Sequence, residues 1–180
     1  AAAVDEARRL ATELRRFVHG AAPTTRLYEI DLDLRPEGRD GPLSRSVEGY
    51  LRYWQDYAEV WERQAMSRAR PVAGDLALGD RLLAELAPAI WERGLSSEEE
   101  TKIRRMKARL EAERIPAGED ARFHLKLGKG SLSDIEWTCQ LLQLRHGIRG
   151  AGTWSGIGRL RDAGVLDPDD ADVLAASYRF

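Results

Sequence analysis

From about residue 77 onward the apolar residues recur at helical spacing, and the breaks between the apolar runs carry helix-cap signals. The spacing predicts helices near residues 78–93, 97–114, 131–146, 153–163 and 168–179. Ser97 and Glu100 have the spacing of a capping box, in which a hydroxyl and a carboxylate reciprocally satisfy free backbone donors. Ser131 or Ser133 caps the third of these helices, and Asp167 the last, with Pro168 at its first position. Helices with one apolar stripe must bury it against one another, so residues 76–180 are expected to form a helical bundle. One short piece, FHLKLG at 123–128, reads as extended.

Residues 1–75 follow another pattern. Val4, Ala7, Leu10, Leu14 and Val18 mark a helix over 4–19, and period-two alternation over 26–34 predicts a strand. RPEGRDGP is a turn-rich loop. A long helix is expected over about 46–67, capped by Ser44 or Ser46 and ended by ARPVAGD, where Pro71 disfavours helix at Arg70. The fold class is therefore α+β and mostly helical, with an α/β part up to Asp75 and a bundle after it. Neither end carries a helix start or stop signal, which leads us to expect a piece of a longer chain.

Net charge is −2 over 180 residues, so the overall basic field of a nucleic-acid binder is missing and no nucleic-acid partner is expected. No run of 18 apolar residues and no signal peptide occurs, so no membrane association is expected. A single cysteine, Cys139, forbids an internal disulfide and agrees with a reducing, cytoplasmic setting. It sits between Ile135 and Leu142 and reads as a core thiol. His19, His124 and His146 show no zinc spacing. Trp54, Trp61 and Trp137 read as packing residues.

Three stretches carry candidate chemistry. In YEIDLDLRPEG, strand periodicity puts Glu29, Asp31, Asp33 and Arg35 on one face. Alternate strand residues lie about 6.5–7 Å apart, so Asp31 and Asp33 either address one Mg²⁺–phosphate centre or form an exposed sheet face neutralised by Arg35. In GKGSLSDIEW, the glycines either cradle phosphate with backbone N–H groups or simply lead into a helix cap, with Asp134 and Glu136 complementing the helix dipole. Glu136, Gln140 and Gln143 share a helix face. In WERQAMSRARPVAGD, Glu62, Gln64, Arg68 and Arg70 cluster near a helix end, where arginines either favour the dipole or bind phosphate.

LYEIDLDLRPEGRDGPLSRSVEGYLRYW followed by WERQAMSRARPVAGD resembles the distal part of a catalytic domain of bacterial glutamine synthetase adenylyltransferase, and FHLKLGKGSLSDIEWTCQLLQLRHG resembles the helical domain of the same family. The three blocks occur in the family's order over about residues 26–179. Ser131 stands where a second glycine is usual, and Trp137 where phenylalanine is.

The resemblance implies a polymerase β-like nucleotidyltransferase domain over 1–75 and the family's helical domain over 76–180. It implies that Asp31 is a metal carboxylate for Mg²⁺, that the other two metal carboxylates precede this segment, and that Asp33 supports Asp31 at the catalytic centre. Arg35, Arg68, Arg70 and Lys126 are then expected to neutralise ATP phosphates. Glu62, Asp134 and Glu136 are expected to line the nucleotide cleft. The activity implied is transfer of AMP from ATP to a tyrosine of glutamine synthetase, and Asp134-Ile135-Glu136 favours this adenylylating half over the half that removes AMP by phosphorolysis. A non-catalytic module that docks the PII signalling protein or glutamine synthetase is a further alternative. A uridylyltransferase is disfavoured by the Trp-Glu-x-Gln-Ala block at Trp61–Ala65.

Overall fold

The computed structural model describes residues 2–20, 22–116, 118–150 and 152–179, and all regular structure among them is helical. The chain divides into two compact units, Ala1–Ala58 and Glu59–Phe180. No helix among the described residues is long and apolar enough to cross a membrane.

The first unit contains α1 (Ala2–His19) and α2 (Val47–Asp56), joined by a long irregular segment. The strand expected over 26–34 does not form. An isolated strand leaves its backbone groups unpaired, and no neighbouring strand exists among the described residues. The N–H groups of Leu27 and Tyr28 instead both donate to the carbonyl of Val18 at the end of α1. Ser46, one of two candidate caps, is the one that caps α2, its hydroxyl accepting from the N–H of Gly49 at 3.1 Å.

The single helix expected over 46–67 is broken. α2 stops at Asp56, and α3 (Val60–Met66) begins with a capping box of Glu59 and Glu62. The Glu62 carboxylate accepts from the N–H of Glu59 at 2.8 Å. Two glutamates spaced as a cap start a new helix here, and apolar periodicity alone does not reveal the break. The boundary between the two units falls at this break, inside the span 1–75 that sequence patterning groups together.

The second unit holds α3, α4 (Leu76–Ala87), a π-helical turn (Pro88–Glu92), α5 (Ser97–Arg114), α6 (Leu132–His146), α7 (Thr153–Asp162) and α8 (Pro168–Ser177). Pro88 has no N–H to give and crowds the carbonyl four residues back, which accounts for the widened turn that ends α4. The capping box of α5 is formed by Ser96 and Glu99, one residue before the expected Ser97 and Glu100. The piece 123–128 is a 3₁₀ turn followed by tight turns rather than extended chain. Asp167 and Pro168 open α8 as expected.

α6, α7 and α8 pack around Ile135, Cys139, Ile157, Leu160 and Ala171, flanked by Leu142, Leu166, Leu174 and Tyr178. Cys139 is a core thiol whose Sγ lies 3.7 Å from the Thr153 carbonyl, and burial pushes its pKa up to about 11. Gly156 makes the approach of α7 to α6 possible, since a Cβ there would lie 2.6 Å from Cys139 Sγ. Gly158, two residues on, faces open space. We therefore expect Gly156→Ala to destabilise the chain by about 1–3 kcal/mol through overpacking. Gly158→Ala should be neutral or stabilising by up to about 1 kcal/mol, the helix propensity gain. Urea denaturation of both variants, read by circular dichroism, checks the pair. Equal effects would refute the close-packed seam.

Candidate functional site

The residues singled out in the sequence fall into two groups, one in each unit. In the first unit, Asp31, Asp33 and Arg35 lie on a loop rather than on a strand face. Asp31 Oδ1 accepts from the N–H of Asp33 at 2.8 Å, the short-range bond by which aspartates make turns. Asp33 is taken up by Arg39, whose Nε and Nη2 both lie 2.9 Å from Asp33 Oδ2. Asp31 is exposed, and among the described residues of its unit no cation sits within ion-pair distance of it.

Arg35 turns inward. Its Nε donates to the Gly41 carbonyl at 3.0 Å, its Nη2 to that of Arg39 at 3.0 Å and its Nη1 to that of Leu32. The guanidinium expected on phosphate is thus engaged by the backbone of its own loop. Sequence patterning did not single out Arg39, Arg45 or Glu37. Arg45 pairs with Glu37 at 2.6 Å and stacks over the Tyr53 ring at 5.4 Å. The spacing of Asp33 and Arg39 around a Pro-Gly turn was the available signal for the first of these.

In the second unit, the two motifs singled out on α3 and α6 meet each other. Gln64 Nε2 donates to Gln140 Oε1 at 2.9 Å, with both residues buried. One turn along, Arg68 Nη1 lies 3.6 Å from Glu136 Oε2, and Tyr178 Oη donates to Glu136 Oε1 at 2.9 Å. Glu136 thus ties α3 and α8 to α6, and Glu62 is buried in the cap of α3. Arg70 and Lys126 are exposed and carry no ion pair among the described residues. Their side chains remain available to an anion.

Arg63, absent from the sequence-based candidates, is the most buried charge of the chain at 2% exposure. Nε donates to the Ile90 carbonyl at 2.9 Å, and Nη1 lies 3.8 Å from Glu99 Oε1. Burial first, then the neighbouring Arg93, lowers its pKa to about 10, against the opposing pull of Glu99. Nearby, Arg93, Arg145 and Arg149 border a cleft of about 530 Å³ beside Trp91. Each is already paired with a glutamate, Glu99, Glu100 and Glu92 respectively.

Most backbone donors of the glycine-rich loop are taken up within the chain. Gly130 N–H donates to Asp134 Oδ2, Gly128 N–H to the His124 carbonyl, and Ser133 N–H to the Lys126 carbonyl. Ser131, one of the two expected caps, stands at the N-cap of α6, but its hydroxyl donates to the Lys126 carbonyl at 2.7 Å and makes no side-chain cap bond to the helix. Asp134 also pairs with Lys107 of α5, which holds Glu111 as well. Burial alone would raise the Asp134 pKa, but Lys107 and the Gly130 N–H outweigh it and hold the carboxyl below its usual range. Burial likewise opposes the charge of Lys107, and the two carboxylates outweigh it and raise its pKa.

A depressed carboxyl contributes stability that is present above its unfolded pKa and is lost as pH falls through the folded value. The raised Lys107 contributes stability below the unfolded lysine value that is lost only as pH rises through the folded one. Lys107→Met should cost about 1.5–3 kcal/mol near neutrality, the range for hydrogen bonds to charged groups. The gap from the unaltered chain should close as pH falls below the usual carboxylate range. Denaturant midpoints measured from pH 7 down to pH 3 check this, and a constant gap would refute it.

Among the described residues no three His, Cys, Asp or Glu side chains gather into a metal cluster. The exposed carboxylate of Asp31, which meets no cation among the described residues, suits one ligand position of a hard cation such as Mg²⁺, which normally takes one or two carboxylates beside phosphate oxygens. Asp33, held by Arg39, is not equivalent to it.

Residues 2–85 match the family model of Glutamate-ammonia ligase adenylyltransferase, and residues 99–180 match that of GlnD PII-uridylyltransferase. A bifunctional glutamine synthetase adenylyltransferase/adenylyl-removing enzyme of Streptomyces coelicolor is 43% identical over 97% of this chain and 19% of its own length. Proteins of the same name from Cutibacterium acnes and Mycobacterium avium are 43% and 42% identical, over 97% and 83% of this chain and 18% and 16% of their lengths. The chain spans less than a fifth of the length of these curated relatives. The clasp of α3 with α6 joins a helix matched by the first family model to one matched by the second. Shared blocks, their order and this level of identity place the chain, as one segment, in the glutamine synthetase adenylyltransferase family.

Proposed function

We propose that this chain is part of a nucleotidyltransferase module that moves AMP from ATP to a tyrosine of glutamine synthetase. The observation that carries the reading is Asp31, an exposed carboxylate oriented by the N–H of Asp33 and paired with no cation among the described residues. It stands in a chain whose relatives are named adenylyltransferases. Mg²⁺, when bound, supplies charge neutralisation at the phosphates and acidifies the attacking hydroxyl. In this chain Asp31 offers one ligand oxygen, and Arg39 removes the charge of Asp33 so that the two carboxylates do not repel. Within the second unit, Arg70 and Lys126 are exposed cations with no ion pair among the described residues, which suits them to bind an anion. Asp134 at the start of α6 supports the adenylylating direction over removal of AMP.

Asp31→Asn keeps an oxygen for the Asp33 N–H, so it should fold normally. In a full-length family enzyme carrying this segment it should slow transfer of labelled AMP to glutamine synthetase by more than about 100-fold, beyond the loss typical of an outer-shell partner. Transfer at the unaltered rate would end the metal assignment. Phosphate-dependent release of AMP, assayed beside it, decides the direction, because only the reaction run by this module should fail.

A second reading is favoured by the match of residues 99–180 to PII-uridylyltransferases. The helical unit then docks the PII protein. Surface plasmon resonance of PII over the 180-residue chain tests it. An absence of binding at micromolar PII removes it.

A further inference from the structure

We propose that Arg35 is a positioning residue, the staple that holds the loop bearing Asp31 in shape, and not a phosphate ligand. The inference rests on the reading of Asp31 given above. Its basis is the loop itself. Three carbonyls, those of Leu32, Arg39 and Gly41, converge on one guanidinium. They come from both ends and the far side of a turn of ten residues, 32–41. Leu32 adjoins Asp31 directly, so the staple fixes the peptide that follows the metal carboxylate.

The backbone of this turn does not hold its shape cheaply. Glu37 sits at φ 64°, the left-handed region that a residue with a side chain rarely adopts. Such strain costs about 1–3 kcal/mol and persists only where the surroundings over-determine it. The surroundings here are named contacts. Glu37 N–H donates to Tyr53 Oη at 3.4 Å, and its carboxylate pairs with Arg45. Pro36 is buried, and a Cβ on Gly41 would lie 2.0 Å from the Pro36 carbonyl oxygen. Arg35 bridges the two ends of the loop that carries these contacts, beside the Arg39–Asp33 pair that also spans it.

Only arginine suits the position. Its five donors lie in a rigid planar fork, and three of them point at three separate acceptors. A lysine ammonium keeps the charge but gathers its donors at one point. A phosphate ligand would tolerate that exchange in part, whereas a staple would not.

Arg35→Lys in the full-length family enzyme separates the two roles. If Arg35 is the staple, the peptide covering residues 28–45 exchanges its amide hydrogens at least about tenfold faster than in the unaltered protein, with helices α6 to α8 unchanged. The maximal rate of AMP transfer falls at least about tenfold, and the Mg²⁺ concentration for half-maximal rate rises. The KM for ATP at saturating Mg²⁺ stays within about twofold, as expected when no ground-state contact to ATP is removed. Unchanged exchange overturns the proposal. So does a raised KM for ATP with the maximal rate kept, which is the signature of a phosphate contact. The exchange measurement needs no activity, so it stands or falls separately from the Asp31→Asn assay.

Discussion

The guanidinium of Arg63 sets the terms for the helical unit. A buried charge is costly unless it finds partners, and Arg63 finds them on two different elements. It donates to the carbonyl of Ile90 in the π-helical turn and lies close to Glu99 at the start of α5. Glu99 in turn accepts from Ser96 N–H and Arg93. A single side chain of α3 thereby constrains where α5 begins and how the widened turn after α4 sits. Its neighbour Gln64 then meets Gln140 in the interior. Such polar seams add little net stability, because desolvation offsets the attraction. They disfavour alternative packings, since another register would part Arg63 Nε from the Ile90 carbonyl and Gln64 from Gln140.

The first unit works on another basis. It buries few side chains, and its long loop owes its form to hydrogen bonds from arginine to backbone carbonyls. Within that loop two aspartates of the same sequence motif meet different fates. Arg39 takes Asp33, while Asp31 keeps its charge open to solvent. The difference arises from which cation the turn brings round, and period-two spacing treats the two as equals.

Much of the helical organisation was legible in the residues. Cap chemistry is local, so Ser46, Asp167 and Pro168 announce their helices directly. The capping box of α5 was displaced by one residue because Ser96-Ser97 and Glu98-Glu99-Glu100 offer overlapping solutions. The strand over 26–34 was misread for a different reason. Alternation describes which faces a strand would show, but a strand exists only where a neighbour completes its hydrogen bonds. The residues singled out in the sequence were legible only as chemical types. Asp31, Glu62, Gln64, Arg68, Asp134 and Glu136 all make specific contacts or hold defined positions. Which of them face each other was hidden, because Gln64 and Gln140 are 76 residues apart.

The sequence by itself determined the helices after residue 77, the core thiol, the family blocks and the turn-rich loop RPEGRDGP, because each depends on spacing within a few residues or on motif order. Only the tertiary structure decided that Arg35 serves its own loop, that Asp33 is neutralised while Asp31 is not, and that the α3 and α6 motifs clasp each other. The physical reason is the same in each case. A charged or polar side chain offers several donors or acceptors, and folding assigns their partners from groups that chain distance does not reveal.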